Sequence, residues 1–562
     1  MGNKMTGKTN IAKSGEFPTI KITAPYSSLE YARIKAPKVN KLDNSVNWVH
    51  FGGGNLFRCF HEQIQQELID KGLSNSPMAL IETYDDELID QIYHKFKNRT
   101  LNVILVGDGS YGLEVFDCVN PALFAGAKND WEAAKNLFAS SNLQLATITV
   151  TEKGYNLKGI DGNYLEIVKQ DMAAGPEKSS GFIARLLALM YWRFVNGAHP
   201  IALCSTDNFS RNGDKLKDSL LQIADVWQKK GFVDKDFLEY LNDVQKVAYP
   251  LSMIDRITPQ PSEKFVKTLS SIGLEEMGII KTSKNTVTAP FTNTELTHYL
   301  VVEDNFPNGR PPFEKAGVIM TSKEKVDEVE RMKVCTCLNP LHTSLAILGC
   351  LLKFVSISDE MKDNDLVKLI KRIGYIEGLP VVTDPGIINP KKFIDEVIYE
   401  RLPNPNIPDT PQRIAADTSQ KIPIRFGQTI LLYKEQLKDI ESLKGIAFTL
   451  AAWLRYLMRL DDEGKPFALS PDPAEENLRQ FVSSLRLGSD NVDSVLPLLH
   501  DKAIFAVDLY QVKNDKTSLA EMVINFLKKM LTSGENGVGG VRQTLSKLVN
   551  NNFEPHTIYD KN

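Results

Sequence analysis

Cysteine is scarce. Six in 562 residues (Cys59, Cys118, Cys204, Cys335, Cys337 and Cys350) are too few for a disulfide framework. None forms C-x-x-C, and Cys335-Thr336-Cys337 has the wrong spacing for a zinc knuckle. Reduced, mostly buried thiols in a cytoplasmic protein are the expectation. No metal is expected, because no His/Cys/carboxylate set has ligand spacing. Long apolar runs are missing too. The longest lies near Leu345–Leu352, short of the ~18 residues a membrane-crossing helix needs. The N-terminus, MGNKMTGKTNIAKSGEF, has no apolar h-region, which argues against a signal peptide. Its M-G-x-x-x-T start fits a myristoylation pattern or a plain polar tail. An excess of one charge is also absent: Lys+Arg 66 against Asp+Glu 70 leaves −4. No basic field draws the chain to nucleic acid or anionic lipid, so neither partner is expected.

What is there reads as globular. Charged residues make up 24% and hydrophobic ones 42%. At ~150 residues per domain, 562 residues imply at least two large domains. Residues 1–40 lack a sustained period and are expected to form an arm. Strand patterns at Val46–Phe51, Met78–Ile81, LQLATITV and PIALCS alternate with helical patterns such as FRCFHEQIQQELIDKG and GFIARLLALMYWRFVNG. LNVILVGDGSYGLEVF reads as a hairpin turning at Asp108-Gly109. This alternation predicts an α/β, Rossmann-like doubly wound domain over residues 41–310. Beyond about residue 310 strand signals nearly vanish and 3.6-type spacing takes over, predicting a mainly α-helical domain over 311–562. The Pro/Gly-rich EDNFPNGRPPFEKAG marks the expected boundary.

The first strand runs into Gly52-Gly53-Gly54-Asn55-Leu56-Phe57-Arg58 and then a helix. A dinucleotide fold places its phosphate turn there. Gly52 allows the tight turn, and Gly54 lets backbone N–H groups approach a pyrophosphate at the helix N-terminus. The third glycine of G-x-G-x-x-G is replaced by Phe57. Glu82 ends the second strand pattern, where a carboxylate accepts ribose hydroxyls and disfavours a 2′-phosphate. That points to NAD rather than NADP. Asp85 or Asp86 could serve instead of Glu82, or any of the three could be a solvated helix-start acid.

The most informative stretch is Arg331–His342, in which Lys333, Asn339 and His342 read K-x5-N-x2-H. Six positions apart, Lys333 and Asn339 do not share a face of one straight helix, so the chain must break between them. Pro340 offers a reason. Asn339-Pro340 also fits a plain N-cap, His342 a core histidine, and Asp255-Arg256 a structural ion pair.

This stretch resembles the polyol-specific long-chain dehydrogenase (mannitol dehydrogenase) family, which spans mannitol, fructuronate and tagaturonate enzymes. The glycine turn is similar to that family's G-x-G-x-F-x-R, with Leu56 for Phe. Further similar blocks are Thr149–Tyr155, Ser205–Asn208 with Asn212-Gly213, Ser252–Pro259, Arg401–Pro405 and Asp417–Pro423. They run in order from about residue 45 to beyond 460.

The resemblance implies an NAD-dependent oxidoreductase. It would interconvert a secondary alcohol of an open-chain polyol or aldonate with the matching ketose or keto-uronate. Lys333 would be the acid/base: a free lysine has a pKa near ~10.4, and burial or neighbouring cations bring it toward roughly 7–8. Asn208 and Asn339 would donate to the alkoxide-like oxygen, His342 would hold that oxygen or a neighbouring hydroxyl, and Asp255 would tune the charge or organise a proton path. Cofactor contacts would come from Gly52, Gly54, Asn55, Leu56, Arg58, Glu82, Thr151, Glu152 and Asp207. Arg401 and Lys421 would contact the far end of the substrate, with Arg413 and Arg425 nearby in sequence. CLNPLHTSLAILGC and PDTPQRIAADTSQKIPIRF are similar to the fructuronate-reductase branch more than to mannitol enzymes. The active site is expected in a cleft between the two domains, in a monomer or weak oligomer. A non-catalytic nucleotide or sugar sensor is the reading from another class.

Overall fold

A computed structural model describes residues 42, 43, 45–159 and 161–550. The expected arm over residues 1–40 lies outside them. The chain divides into two compact units after Asp327.

Among its described residues, the first unit carries fourteen strands in chain order. They are β1 (Trp48–Phe51), β2 (Met78–Glu82), β3 (Thr100–Leu105), β4 (Tyr111–Phe116), β5 (Val119–Phe124), β6 (Leu145–Ile148) and β7 (Ile201–Ser205). There follow β8 (Val247–Ala248), β9 (Ser252–Asp255), β10 (Ile280–Lys281), β11 (Val287–Thr288), β12 (Phe291–Glu295), β13 (Tyr299–Glu303) and β14 (Ile319–Thr321). Six form one sheet in the order β5-β2-β1-β6-β7-β8, every pairing parallel. That is the strand order 3-2-1-4-5-6 of a dinucleotide-binding fold, and the crossover helices it demands are present.

Alternation explains the layers. Val49, Phe51, Ala79 and Ile81 point to one face and pack with Phe138, Leu187 and Leu220. These come from the helices Lys128–Ala139, Phe182–Val195 and Asn212–Lys229. Trp48, Met78 and Leu80 point to the other face, against Phe57, Phe60, Ile64 and Leu68. Both faces are covered, so the strands carry few polar residues. Truncating a fully buried ring such as Phe51 to Ala would cost about 3–5 kcal/mol.

Two small mixed sheets, β12-β3-β4 and β14-β13-β9, and the antiparallel pair β10-β11 complete the unit. The division falls later than the expected residue 310, for a physical reason. Phe313 packs into the first unit's core and β14 pairs in parallel with β13, so the Pro/Gly-rich stretch is a loop inside that unit.

Strands are absent from the described residues of the second unit. Its centre is the helix Lys444–Leu457, buried from Gly445 to Leu457. A carboxylate from elsewhere in the chain caps its start. Gly445 and Ile446 N–H donate to Glu377 Oε1 and Oε2 at 2.7 and 2.8 Å, and Arg372 Nε lies 2.7 Å from Oε1. The helix Leu519–Thr532 begins with a capping box of Ser518 and Glu521. Taken together, the helical segments over Lys323–Leu352 are long and apolar enough by composition to cross a membrane. Most of their apolar window is buried within the fold, as in the core helix of a globular unit.

Candidate functional site

In the first unit, the residues expected to hold a nucleotide gather at the carboxyl ends of four adjacent strands, β2, β1, β6 and β7. Gly52 has φ +101°, and a Cβ there would stand 2.3 Å from the Thr149 carbonyl oxygen. Only glycine fits so close to the end of β6. Gly54 is exposed, and a Cβ there would meet nothing within 4 Å, so its backbone faces open space. Asn55 and Leu56 follow it, half-buried.

Glu82 braces the turn from the end of β2. Its Oε2 accepts the Gly53 N–H at 2.8 Å, while Oε1 accepts the Thr83 and Tyr84 N–H groups, each at 2.9 Å. Asp207, after β7, does the same for β6. It accepts from Val150 N–H (2.9 Å), Thr151 N–H (3.0 Å) and the Tyr155 hydroxyl (2.7 Å). Burial nevertheless holds its carboxyl above the usual range. Thr151, so tethered, has φ +66°, a strained value for a β-branched residue. Glu152 is exposed, 3.4 Å from Lys215.

Beneath the turn, His50 bridges Thr147 Oγ1 (2.7 Å) and Thr149 Oγ1 (2.8 Å) and stacks on Phe57 at 4.2 Å. Burial holds His50 well below its usual pKa and pushes His61 down to about 3. Both imidazoles are therefore neutral supports.

Arg58 departs from the expectation of a cofactor contact. Its side chain is fully buried, and Nη1 donates to the Ala289 carbonyl at 2.9 Å. Its guanidinium fastens the segment before β12 to the helix that follows the turn. Asp85 likewise is buried and accepts from the Thr282 hydroxyl at 2.7 Å. Asp86 is exposed at the start of the short helix Asp86–Leu88, while Glu82 is the acid bonded to the glycine turn itself.

Asn208 is exposed just past Asp207. Asp255 is buried at the end of β9. Its neighbour Arg256 donates to the Cys59 carbonyl at 2.6 Å and to Gln63 Oε1 at 2.5 Å. Two residues absent from the expected set organise this end of the sheet. Asn212 Nδ2 donates to the Asp207 and Ser252 carbonyls, both at 3.0 Å, joining the loop after β7 to β9. Tyr155 anchors Asp207 as described above. Both stood in recognisable sequence blocks, but nothing local marked them as braces.

In the second unit, Lys333 is buried and opens a π-helical turn, Lys333–Cys337. The Leu338 N–H donates to the Lys333 carbonyl five residues back, at 3.1 Å. Leu338 then breaks the helix with φ −124° and ψ −60°. The required break thus falls one residue before Asn339, and Pro340 sits in the first turn of the next helix, Asn339–Leu352. π-turns recur at functional sites because they re-aim side chains. Arg401 also closes a π-turn, Val397–Arg401, and is buried.

His342, on the second helix, has its Nε2 3.3 Å from Asp409 Oδ2. Burial lowers the imidazole's pKa, against the pull of that carboxylate. Burial pushes the Asp409 carboxyl up, but His342 and Arg413 outweigh it and it ends below the usual range. Arg413 pairs with the other Asp409 oxygen. Arg425 Nη1 donates to Thr343 Oγ1 at 2.6 Å, and burial pushes its pKa down to about 10. Lys421 Nζ donates to the Ile414 carbonyl at 3.0 Å and to the Ala416 carbonyl. Burial first, then the Arg425 charge, push Lys421 down to about 8. Arg413, Lys421 and Arg425 are thus one cationic cluster beside His342-Thr343. Asp409 was not among the expected residues, since it lies far from His342 in sequence.

A parallel sheet in dinucleotide order followed by a helical unit defines a dinucleotide-binding scaffold. Family models agree: the mannitol dehydrogenase Rossmann domain matches residues 46–315, and the mannitol dehydrogenase C-terminal domain matches residues 325–530. The chain belongs to the mannitol dehydrogenase family. It is 48% identical over 508 residues to a D-mannonate oxidoreductase of Thermotoga maritima, covering 89% of this chain and 92% of that protein. It is 28% identical over 520 residues to a mannitol 2-dehydrogenase of Aspergillus fumigatus, covering 89% and 93%. The fold matches a substrate-free D-sorbitol dehydrogenase structure with TM-score 0.75 at 23% identity, covering 91% of this chain and 97% of that one. A Pseudomonas fluorescens mannitol 2-dehydrogenase structure gives TM-score 0.66 at 22% identity, covering 93% and 98%.

Proposed function

We propose that the protein is an NAD-dependent oxidoreductase interconverting D-mannonate and D-fructuronate. The observation that carries the substrate choice is the cationic cluster of Arg413, Lys421 and Arg425 beside His342. A neutral polyol needs hydroxyl partners alone. A sugar acid brings a carboxylate, which guanidinium and ammonium groups bind strongly. The 48% identical relative named D-mannonate oxidoreductase supports the same choice.

The first unit fits a dinucleotide. Gly52 makes a cradle that a Cβ would fill, Gly54 leaves its backbone accessible, and Glu82 sits where ribose hydroxyls are recognised. Asn55, Leu56, Thr151, Glu152 and Asp207 line or brace that region. When bound, the nicotinamide supplies the hydride donor or acceptor.

The chain's own residues manage the proton. Lys333 Nζ takes the hydroxyl proton in oxidation and returns it in reduction. Asn208 and Asn339 donate N–H groups to the oxygen as charge builds on it. His342, held by Asp409, positions a neighbouring hydroxyl. Asp255 adjusts the local charge. Arg401 and Lys421 hold the far end of the substrate.

Following NADH consumption with D-fructuronate, D-tagaturonate and D-fructose offered separately tests this reading. Fructuronate should give the highest kcat/KM. Preference for fructose would overturn the acid assignment. Tight NADH binding without turnover of any of the three would favour a sensor.

A further inference from the structure

The hairpin β10–β11 stands apart from the parallel sheet, yet it is fastened beside the end of β2. The Thr282 hydroxyl donates to Asp85 Oδ2 at 2.7 Å, both residues buried. The Ser283 N–H donates to Glu87 Oε1 at 3.0 Å. At the outgoing end, Arg58 holds the Ala289 carbonyl. The tip is closed by Thr282 N–H donating to the Thr286 carbonyl at 3.0 Å, and by Thr286 N–H donating to the Thr282 hydroxyl at 3.2 Å. A hairpin clamped at both ends carries its tip residue to a defined place. That residue is Lys284, whose Nζ lies 5.7 Å from the centre of the Tyr84 ring.

Tyr84 is 63% exposed, lies two residues past Glu82, and its N–H is bound by the Glu82 carboxylate. An aromatic left in water contributes little to folding, whereas one with a flat face at a ligand crevice offers a stacking surface. Glu82 marks where an adenosine ribose is recognised. The base attached to that ribose must lie next to it, beyond the strand end.

We propose that Tyr84 and Lys284 form the adenine seat of the dinucleotide site: the base stacks on the Tyr84 ring, and Lys284, presented by the clamped hairpin, fixes that ring by a cation–π contact. The proposal rests on the dinucleotide reading given above. Both groups are binding and positioning residues and touch no reacting atom. A hairpin inserted between β9 and β12 thereby gains a role in cofactor affinity.

The test uses the full chain and two probes, NADH followed by its fluorescence and ADP-ribose followed by calorimetry. Tyr84→Ala should weaken both by about 10-fold, with an unchanged unfolding temperature. Tyr84→Phe keeps the ring and should stay within about twofold of the parent. Lys284→Ala should weaken both by about 3-fold. Parent-like binding by Tyr84→Ala, or a Tyr84→Phe variant as weak as Tyr84→Ala, overturns the adenine seat while the dinucleotide reading stands. A parent protein that binds neither probe overturns both.

Discussion

Glu82 Oε2 accepts the Gly53 N–H at 2.8 Å, so the acid at the end of β2 holds the glycine turn at the end of β1. Three backbone donors converge on this one side chain. A carboxylate suits them because both oxygens accept. In Glu82→Gln one oxygen becomes an NH2 group that faces a donor. The loss should be about 1–3 kcal/mol, read as a lower unfolding temperature, and NADH should bind more weakly because the turn loosens.

Gly52 and Gly54 should respond oppositely. Gly52→Ala forces a Cβ to 2.3 Å from the Thr149 carbonyl at a positive φ, a cost of about 3 kcal/mol or more. Gly54→Ala meets nothing within 4 Å, so folding should be spared. Its methyl group would stand on the cofactor's approach. Thermal unfolding and the NADH Kd, measured on both variants, separate the two roles.

Lys333→Ala should lower kcat by about 10³-fold, within the range of general acid–base contributions, while the NADH Kd holds. Turnover near the parent's would remove Lys333 from the acid/base role. A Lys333→Arg variant retains charge but not an amine able to shed its proton, and should be nearly as slow.

Lys421, pushed down to about 8, gives the protein a pH signature. Below pH 8 its ammonium is charged and, on the proposed role, should hold the substrate carboxylate. Above it, the KM for fructuronate should climb. Lys421→Met should show a raised, flat KM, and Lys421→Arg should bind well past pH 8. Stability moves the other way. Between about 8 and the ordinary 10.5, the folded chain has shed a proton the unfolded chain keeps, so this group's contribution rises with pH. Below 8 both states are protonated and the slope vanishes. Urea unfolding of parent and Lys421→Met across that window checks the sign.

Much of the first unit was legible because the sheet is covered on both faces. Short apolar strands such as VNWVHF and PIALCS, bounded by glycines and helices, have few other readings. The Asp108-Gly109 turn falls between β3 and β4, with Gly109 at φ +87°. β5 escaped notice because Pro121 interrupts it. The strand tolerates proline because it is the sheet's edge, where one row of N–H groups has no partner strand. β12, FTNTE, looks polar yet is wholly buried, since it pairs with β3 far upstream amid other buried polar groups. Periodicity could not separate α from π winding within five residues, so Lys333–Cys337 passed as an ordinary helix with a break. The Asp409–His342 pair and the carbonyl cage of Lys421 are tertiary facts that no local pattern carries.

The wide winding at Lys333–Cys337 makes that segment a register adjuster. Deleting one residue inside it, such as Thr336, would allow the coil to tighten. The flanking turns would keep their phase, and the side chains inside the segment, Lys333 among them, would be re-aimed. The amine would face a new direction in a protein that still folds. A lineage could therefore retune where the Lys333 amine points by gaining or losing a single codon.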